Sequence, residues 1–135
     1  MREPEPLHGV RVVAAPEAID SIVTGTVVVR IAPDEAFVIG ASDLDLADPH
    51  AIVEPESAFV GWWLDVSVAF ELIGPRVEWP LPAPVPGSTQ LAQGLVAGVS
   101  MKLWIGDSAD DGRALVMVSR SLAHEATDRL FGGVS

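Results

Sequence analysis

The chain has 135 residues, the length of one ordinary domain, and 49% of them are apolar, enough to build a core. Its formal net charge is −11, which argues against nucleic acid and anionic membranes as partners, because both attract basic surfaces. The chain lacks cysteine, which excludes disulfides and cysteine-ligated metal centres within it and fits a reducing, cytoplasmic location.

The first nine residues, MREPEPLHG, are predicted to form a flexible lead-in to a single α+β domain over residues 10–135. They have neither the basic start nor the apolar centre of a signal peptide. The most apolar stretch, residues 58–74, contains two acidic residues, so no transmembrane helix is expected.

The first half of the domain is predicted to form a strand, a short helix and a hairpin. A short strand covers Val10–Val13, and a helix begins at Pro16 and stops at Gly25. Residues 26–31 alternate, with Val27, Val29 and Ile31 on one face. A Pro-Asp-Glu turn follows and residues 36–39 return as a strand, which is typical of a hairpin.

Two further elements are predicted before the middle of the chain. Asp48 is expected to cap a helix of about a turn and a half, which Pro55 would end. The stretch Phe59–Ile73 is predicted to be one half-buried strand. One face of this strand would carry Leu64, Val66, Val68, Phe70 and Leu72, and the other Asp65, Ser67, Ala69 and Glu71.

The second half begins with residues 74–87, a stretch rich in proline that predicts a rigid, extended connection inside one domain. A strand over Leu95–Ile105, an acidic turn and a returning strand over Ala114–Val118 are expected next. Ser121 would cap a final helix with Leu122, Ala126 and Leu130 on its buried stripe, ended by Gly132-Gly133. The order predicts two β-hairpin-plus-helix units in a plait-like antiparallel sheet, with a weak internal duplication.

The polar residues do not form a recognisable catalytic or metal-binding motif. No two of His8, His50 and His124 have the spacing of metal ligands. The loop containing Asp43, Asp45 and Asp48 lacks the glycine that a calcium loop needs at its sixth position. Phosphate-binding loops and serine nucleophile elbows are missing too, so neither a catalytic nor a metal site is predicted.

The tryptophans are the more distinctive candidates. Trp62 and Trp63 should point to opposite faces of a strand, and Trp104 shares a face with polar residues, so some of these rings are expected at the surface. Aromatic anchors are favoured at interfaces, which makes all three interface candidates. Core packing and stacking of a small ring remain the alternatives.

Several short motifs, collinear over residues 26–131, resemble the gamma subunit family of heterotetrameric sarcosine oxidase. RIAPDEAFVIG at residues 30–40 is similar to a hairpin of that family, and DVS at 65–67 followed by LIGP at 72–75 is similar to one of its strands. Pro86-Gly87, Gln93, residues 95–99 and Leu103 resemble a further segment, and VMVSRSL at 116–122 resembles the last strand. Gly94 stands where the family has threonine, and the proline-rich stretch replaces a helix and loop.

This resemblance implies a folate-binding aminomethyltransferase-type fold and a role as a non-catalytic partner of flavin-bearing subunits. The chain is then an interaction module, assembled with oxidase subunits or with copies of itself, and is not expected to be catalytic alone. The alternative is a small folate- or pterin-binding protein, or a one-carbon transferase-like domain, with tetrahydrofolate as its ligand. Asp65 is the one ligand-binding residue that the resemblance carries over, because an aspartate in this motif lies near the pterin site of related enzymes.

Overall fold

The computed structural model describes residues 3–22, 27–83, 88–106 and 112–132. These residues form an α+β structure whose strands pair mostly antiparallel. The strands are β1 (Glu5–Val13), β2 (Val27–Ala32), β3 (Glu35–Ile39), β4 (Ile52–Asp65), β5 (Gln90–Val96), β6 (Val99–Ile105) and β7 (Arg113–Ser119). The α-helices are α1 (Pro16–Asp20), α2 (Val66–Ile73) and α3 (Ala123–Phe131), and short 3-10 turns cover Gly74–Arg76 and Arg120–Leu122.

The structure divides into two compact units. The N-terminal unit is Leu7–Ala58, and the C-terminal unit comprises the described residues of Phe59–Ser135 together with those of Met1–Pro6.

Within the N-terminal unit the strand order is β2-β3-β1, followed by the first half of β4. The predicted hairpin is confirmed, with Val28 opposite Val38. The core of this unit contains Val10, Val12, Ala14, Ala18, Ile19, Ala36 and Val38.

Strand β1 begins at Glu5, earlier than the sequence pattern predicted, so residues 5–9 belong to a strand and not to the lead-in. Leu7 is only 2% exposed and therefore contributes to a core. Gly9 lets β1 approach β3 closely, because a Cβ at this position would collide with the Val38 carbonyl group. The prolines and acidic residues around Leu7 and Gly9 have low strand propensity, so the sequence pattern did not predict this part of β1.

Within the C-terminal unit the strand order is β4-β7-β6-β5, and every neighbouring pair is antiparallel. One face of these strands packs against α2 and α3. That core contains Val60, Trp62, Leu64, Ala69, Ile73, Val96, Val99, Met101, Leu103, Ile105, Ala114, Val116, Val118, Ala126 and Leu130. The predicted stripe on α3 is thereby confirmed for Ala126 and Leu130.

The two units share a connectivity. In each, a strand is followed by a helix and then by a hairpin, and the second hairpin strand pairs with the first strand: β1-α1-β2-β3 in one unit and β4-α2-β6-β7 in the other. The C-terminal unit adds β5 at its edge. The helix thus precedes the hairpin in both units. The sequence pattern predicted this order for the first half of the chain, whereas in the second half it predicted a helix only after the hairpin.

The prediction of one strand over Phe59–Ile73 was wrong after Asp65, because Val66–Ile73 is helix α2. Ala69 and Ile73, four residues apart, are the buried positions of this helix, so its apolar residues also satisfy a helical period. The short helix expected at Asp48 is a turn in the structure, and β4 begins at Ile52 and runs through Pro55.

The prediction of one strand over Leu95–Ile105 was also wrong, since this segment contains the hairpin turn between β5 and β6. Ala97 and Gly98 both have positive φ, of 49° and 85°, which suits the tight turn of a two-residue hairpin. Ser121 lies in the 3-10 turn before α3 and does not cap that helix; its hydroxyl group is 3.1 Å from that of Ser119. The acidic turn expected at 107–111 lies outside the described residues, as do residues 84–87.

The proline-rich segment is anchored at its start by Arg76. Its guanidinium group donates hydrogen bonds to the Leu72 carbonyl at 2.7 Å, to Arg129 at 3.2 Å and to Leu130 at 3.4 Å. One cation therefore serves the carboxyl ends of both α2 and α3, where unpaired carbonyl groups and the helix dipoles favour positive charge.

Further along the segment, Trp79 packs on Gly94 of β5. The indole Nε1 of Trp79 donates a hydrogen bond to the Leu95 carbonyl at 3.1 Å. Because a Cβ at Gly94 would lie 2.7 Å from this Nε1, only glycine leaves room for the indole ring. The two departures from the gamma subunit pattern, Gly94 and the proline-rich segment, are thus in direct contact.

We expect Gly94→Ala to lower the free energy of unfolding by about 1–3 kcal/mol, because the new methyl group displaces Trp79. In a Trp79→Leu background the same substitution should cost much less, which gives a coupling energy on the order of 0.5–3 kcal/mol. Chemical denaturation of the four proteins of this double-mutant cycle measures it. Equal costs in the two backgrounds would show that the ring does not constrain position 94.

Candidate functional site

A surface cleft forms where β4 ends and α2 begins. The N–H group of Val66 donates a hydrogen bond of 2.6 Å to the Gly112 carbonyl, which turns the chain out of the sheet direction and into the helix. Asp65, the last residue of β4, is paired in register with Arg113, the first residue of β7. The resulting cleft has a volume of about 310 Å³ and is lined by Trp63, Leu64, Asp65, Val68 and Arg113.

The wall of the cleft is an aromatic and cationic stack. The guanidinium carbon of Arg113 lies 4.4 Å from the ring centroid of Trp63, within the range of a cation–π interaction. Trp104 meets Trp63 edge-on, with ring centroids 6.0 Å apart and an interplanar angle of 85°. The indole of Trp63 is therefore held from one side by Trp104, and it orients the Arg113 side chain.

Asp65 and Arg113 lie opposite each other in the strands, yet the ion pairs found among the described residues do not include this pair. Arg113 is engaged with the Trp63 ring, and Asp65 occupies the N-cap position of α2 without a side-chain hydrogen bond to the helix. Both residues are exposed. The cleft thus presents a cation and an anion that a ligand or a partner can reach.

The structure brings two of the four predicted site residues, Asp65 and Trp63, into this cleft. Trp104 is only 6% exposed, so the alternative of core packing applies to it. Trp62 is 2% exposed and packs on Phe131, with ring centroids 5.4 Å apart. Trp63 is half-buried and therefore stays a candidate for an interface.

Sequence reasoning missed two residues of the cleft, Val68 and Arg113. Val68 was assigned to the apolar face of a strand, but in the structure it belongs to the first turns of α2 and is 43% exposed. Arg113 follows a sequence rich in aspartate, and nothing in its local sequence separates it from any other solvated arginine. Only its pairing with Asp65 across β4 and β7 distinguishes it, and that pairing joins segments far apart in the chain.

A second groove, of about 510 Å³, lies on the N-terminal unit between β1, β4 and the residues after β3. Its lining includes His8, Gly9, Gly40, Pro55 and Glu56. The described lining offers no indole and no guanidinium group, so the smaller cleft has the stronger set of anchoring groups.

No cluster of three or more histidine or acidic side chains that could hold a metal ion occurs within residues 3–22, 27–83, 88–106 and 112–132. Asp48 belongs to the loop whose sequence was compared with a calcium-binding loop, and in the structure it stabilises a turn. Its carboxylate accepts hydrogen bonds from the Ala15 N–H group at 2.8 Å and the His50 N–H group at 2.9 Å. These bonds, the one from Ala15 first, hold the pKa of Asp48 below its usual range.

Comparisons with protein families, with curated proteins and with solved structures found no match to this chain. In the part of the chain that the structure describes, no helix is long and apolar enough to cross a membrane.

The lowered pKa of Asp48 predicts a pH-dependent stability. The carboxylate stabilises the fold above its unfolded-state pKa, and this contribution is lost as pH falls through the lower folded-state pKa. We therefore expect Asp48→Asn to destabilise the protein at neutral pH and to approach the wild type in strong acid. Denaturation curves at several pH values measure this difference. Asp45→Asn, which removes a charge from the same loop, is the control; an equal pH profile for both variants would contradict the assignment.

Proposed function

We propose that this chain is a non-catalytic binding subunit of a heteromeric, flavin-dependent oxidase, with a fold of the folate-binding aminomethyltransferase type. The proposal has two supports. One is the resemblance of residues 26–131 to the gamma subunit family of sarcosine oxidase, and the other is the cleft next to Trp63. The cleft is the observation that carries the proposal, because it supplies a defined surface for a partner.

The side chains of the cleft are of the types that contribute most to protein–protein binding. Tryptophan and arginine dominate the energetics of interfaces, and here Trp63 and Arg113 are in contact, with 4.4 Å between the guanidinium carbon and the ring centroid. Val68 adds apolar surface at the same place, since its side chain is 43% exposed. A partner that covers Val68 and Trp63 would remove this apolar surface from water.

The edges of the strands are less suited to docking. Edge strand β2 contains a register shift between Arg30 and Ala32, and the carbonyl of Leu95 on edge strand β5 is occupied by Trp79. A bulge and a capped carbonyl both discourage the addition of a further strand. Side-chain docking at the cleft is therefore the better-supported mode of assembly.

We expect Val68→Lys to prevent assembly, because a buried, unpaired ammonium group is costly at an interface. The matched control is Leu95→Lys, since Leu95 is 61% exposed and lies on β5, away from the cleft lining. Each tagged chain would be purified from its native extract by size-exclusion chromatography and followed by flavin absorbance. Flavin-bearing polypeptides should co-elute with the wild type and Leu95→Lys only. Elution of the wild type alone, or as a flavin-free homo-oligomer, would contradict the proposal.

A second candidate function is the binding of a folate or pterin ring, favoured by the position of Asp65 in the cleft beside Trp63. Its carboxylate can accept hydrogen bonds from the amino and ring N–H groups of a pterin. Since Arg113 already covers the Trp63 ring, the ligand would have to displace that guanidinium group to stack there.

For this second function, calorimetric titration of the isolated chain with tetrahydrofolate should give saturable heat with the wild type. Asp65→Asn should weaken it by about tenfold or more, because it replaces a charged acceptor. Equal heat in both proteins would show that Asp65 does not contribute to tetrahydrofolate binding. The absence of heat in both would contradict a folate-binding function.

A further inference from the structure

We propose that the cleft at the end of β4 binds a small zwitterion, a free amino acid, with its carboxylate on Arg113 and its ammonium group on Asp65. This inference goes beyond the proposed function, because it assigns a small ligand to the cleft and does not require a partner subunit. It follows from the chemistry and placement of the two charged groups.

The Arg113 guanidinium group is prepared to bind a carboxylate. Its carbon atom lies 4.4 Å from the centroid of the Trp63 ring, so a cation–π interaction holds the group at the wall of the cleft. The N–H donors of a guanidinium group point outward in that plane and match the two oxygens of a carboxylate. None of the ion pairs among the described residues includes the Arg113 side chain.

Asp65 determines which anions are accepted. It lies directly across from Arg113 in the register of β4 and β7, and residues opposed in this way have Cβ atoms about 5 Å apart. A phosphate or a simple carboxylate bound to Arg113 would be repelled by the Asp65 carboxylate. A ligand with an ammonium group beside its carboxylate satisfies both residues, and an α-amino acid carries these two groups on one carbon.

The size and apolar lining of the cleft indicate which amino acids would fit it. A volume of about 310 Å³ is at the lower end of ligand-binding pockets, which suits a single amino acid. Leu64, Val68 and the ring of Trp63 supply apolar surface beside the charged pair. An amino acid with an apolar side chain, such as leucine, should therefore bind better than glycine.

The test is an NMR titration of the isolated, isotope-labelled chain with L-leucine. Two analogues each remove one charge: 4-methylpentanoate lacks the ammonium group, and 3-methylbutylamine lacks the carboxylate. Inorganic phosphate is a third probe. We expect saturable shifts at Asp65, Arg113 and the Trp63 indole N–H group with leucine, and affinities lower by about tenfold or more for each other probe.

The variants Arg113→Gln and Asp65→Asn should each weaken leucine binding by about tenfold or more, since each removes one partner of the zwitterion. Arg11→Gln, on the N-terminal unit, is the matched control and should bind as the wild type does. Amide spectra of the free proteins check that every variant is folded. Equal binding of leucine and 4-methylpentanoate, unchanged binding by both cleft variants, or no saturable shift with leucine would each overturn the proposal. Loss of flavin-subunit assembly would leave it intact, because the titration uses the isolated chain.

Discussion

The hydrogen bond from the Val66 N–H group to the Gly112 carbonyl is the constraint on which the candidate site depends. Without it, the alternating residues after Asp65 could continue β4 as a strand. At 2.6 Å it gives the first N–H group of α2 a partner and ties the start of the helix to the start of β7. Because the chain leaves the strand here, Asp65 and Arg113 end side by side, and Val68 lines a cleft.

The far end of α2 is fixed just as firmly. Arg76 binds carbonyl groups at the carboxyl ends of α2 and α3, and its own carbonyl accepts the Ala97 N–H group at 2.8 Å. The proline-rich segment that follows is secured by Trp79 on β5. The cleft is thus formed by a helix held at both ends and by strands in register, which favours a preorganised arrangement of its charged groups.

Part of the fold could be predicted from the sequence. Alternation in residues 26–31 and the turn after them mark the hairpin of β2 and β3, and the four-residue spacing of Ala126 and Leu130 marks the buried stripe on α3. The boundary between β4 and α2 at Asp65 could not be predicted, because the residues after it fit two periods. Val66, Ala69 and Ile73 have the spacing of a helix, and Val66, Val68 and Phe70 have the spacing of a strand. The turn at Ala97 was missed because alanine seldom has positive φ. For the site, Asp65 and Trp63 were found from motif and composition, whereas Arg113 depends on a pairing between distant segments that local sequence does not encode.

The central claim is that the chain turns at Asp65 from strand to helix and places Arg113 on the Trp63 ring. Assigned NMR spectra of the isolated chain test it most directly. We expect helical Cα and Cβ chemical shifts for residues 66–73. We also expect nuclear Overhauser contacts between the Arg113 side chain and the Trp63 indole, and methylene protons of Arg113 that are shifted upfield by the ring. Extended-strand shifts continuing to Ile73, with no contact between these two side chains, would contradict it.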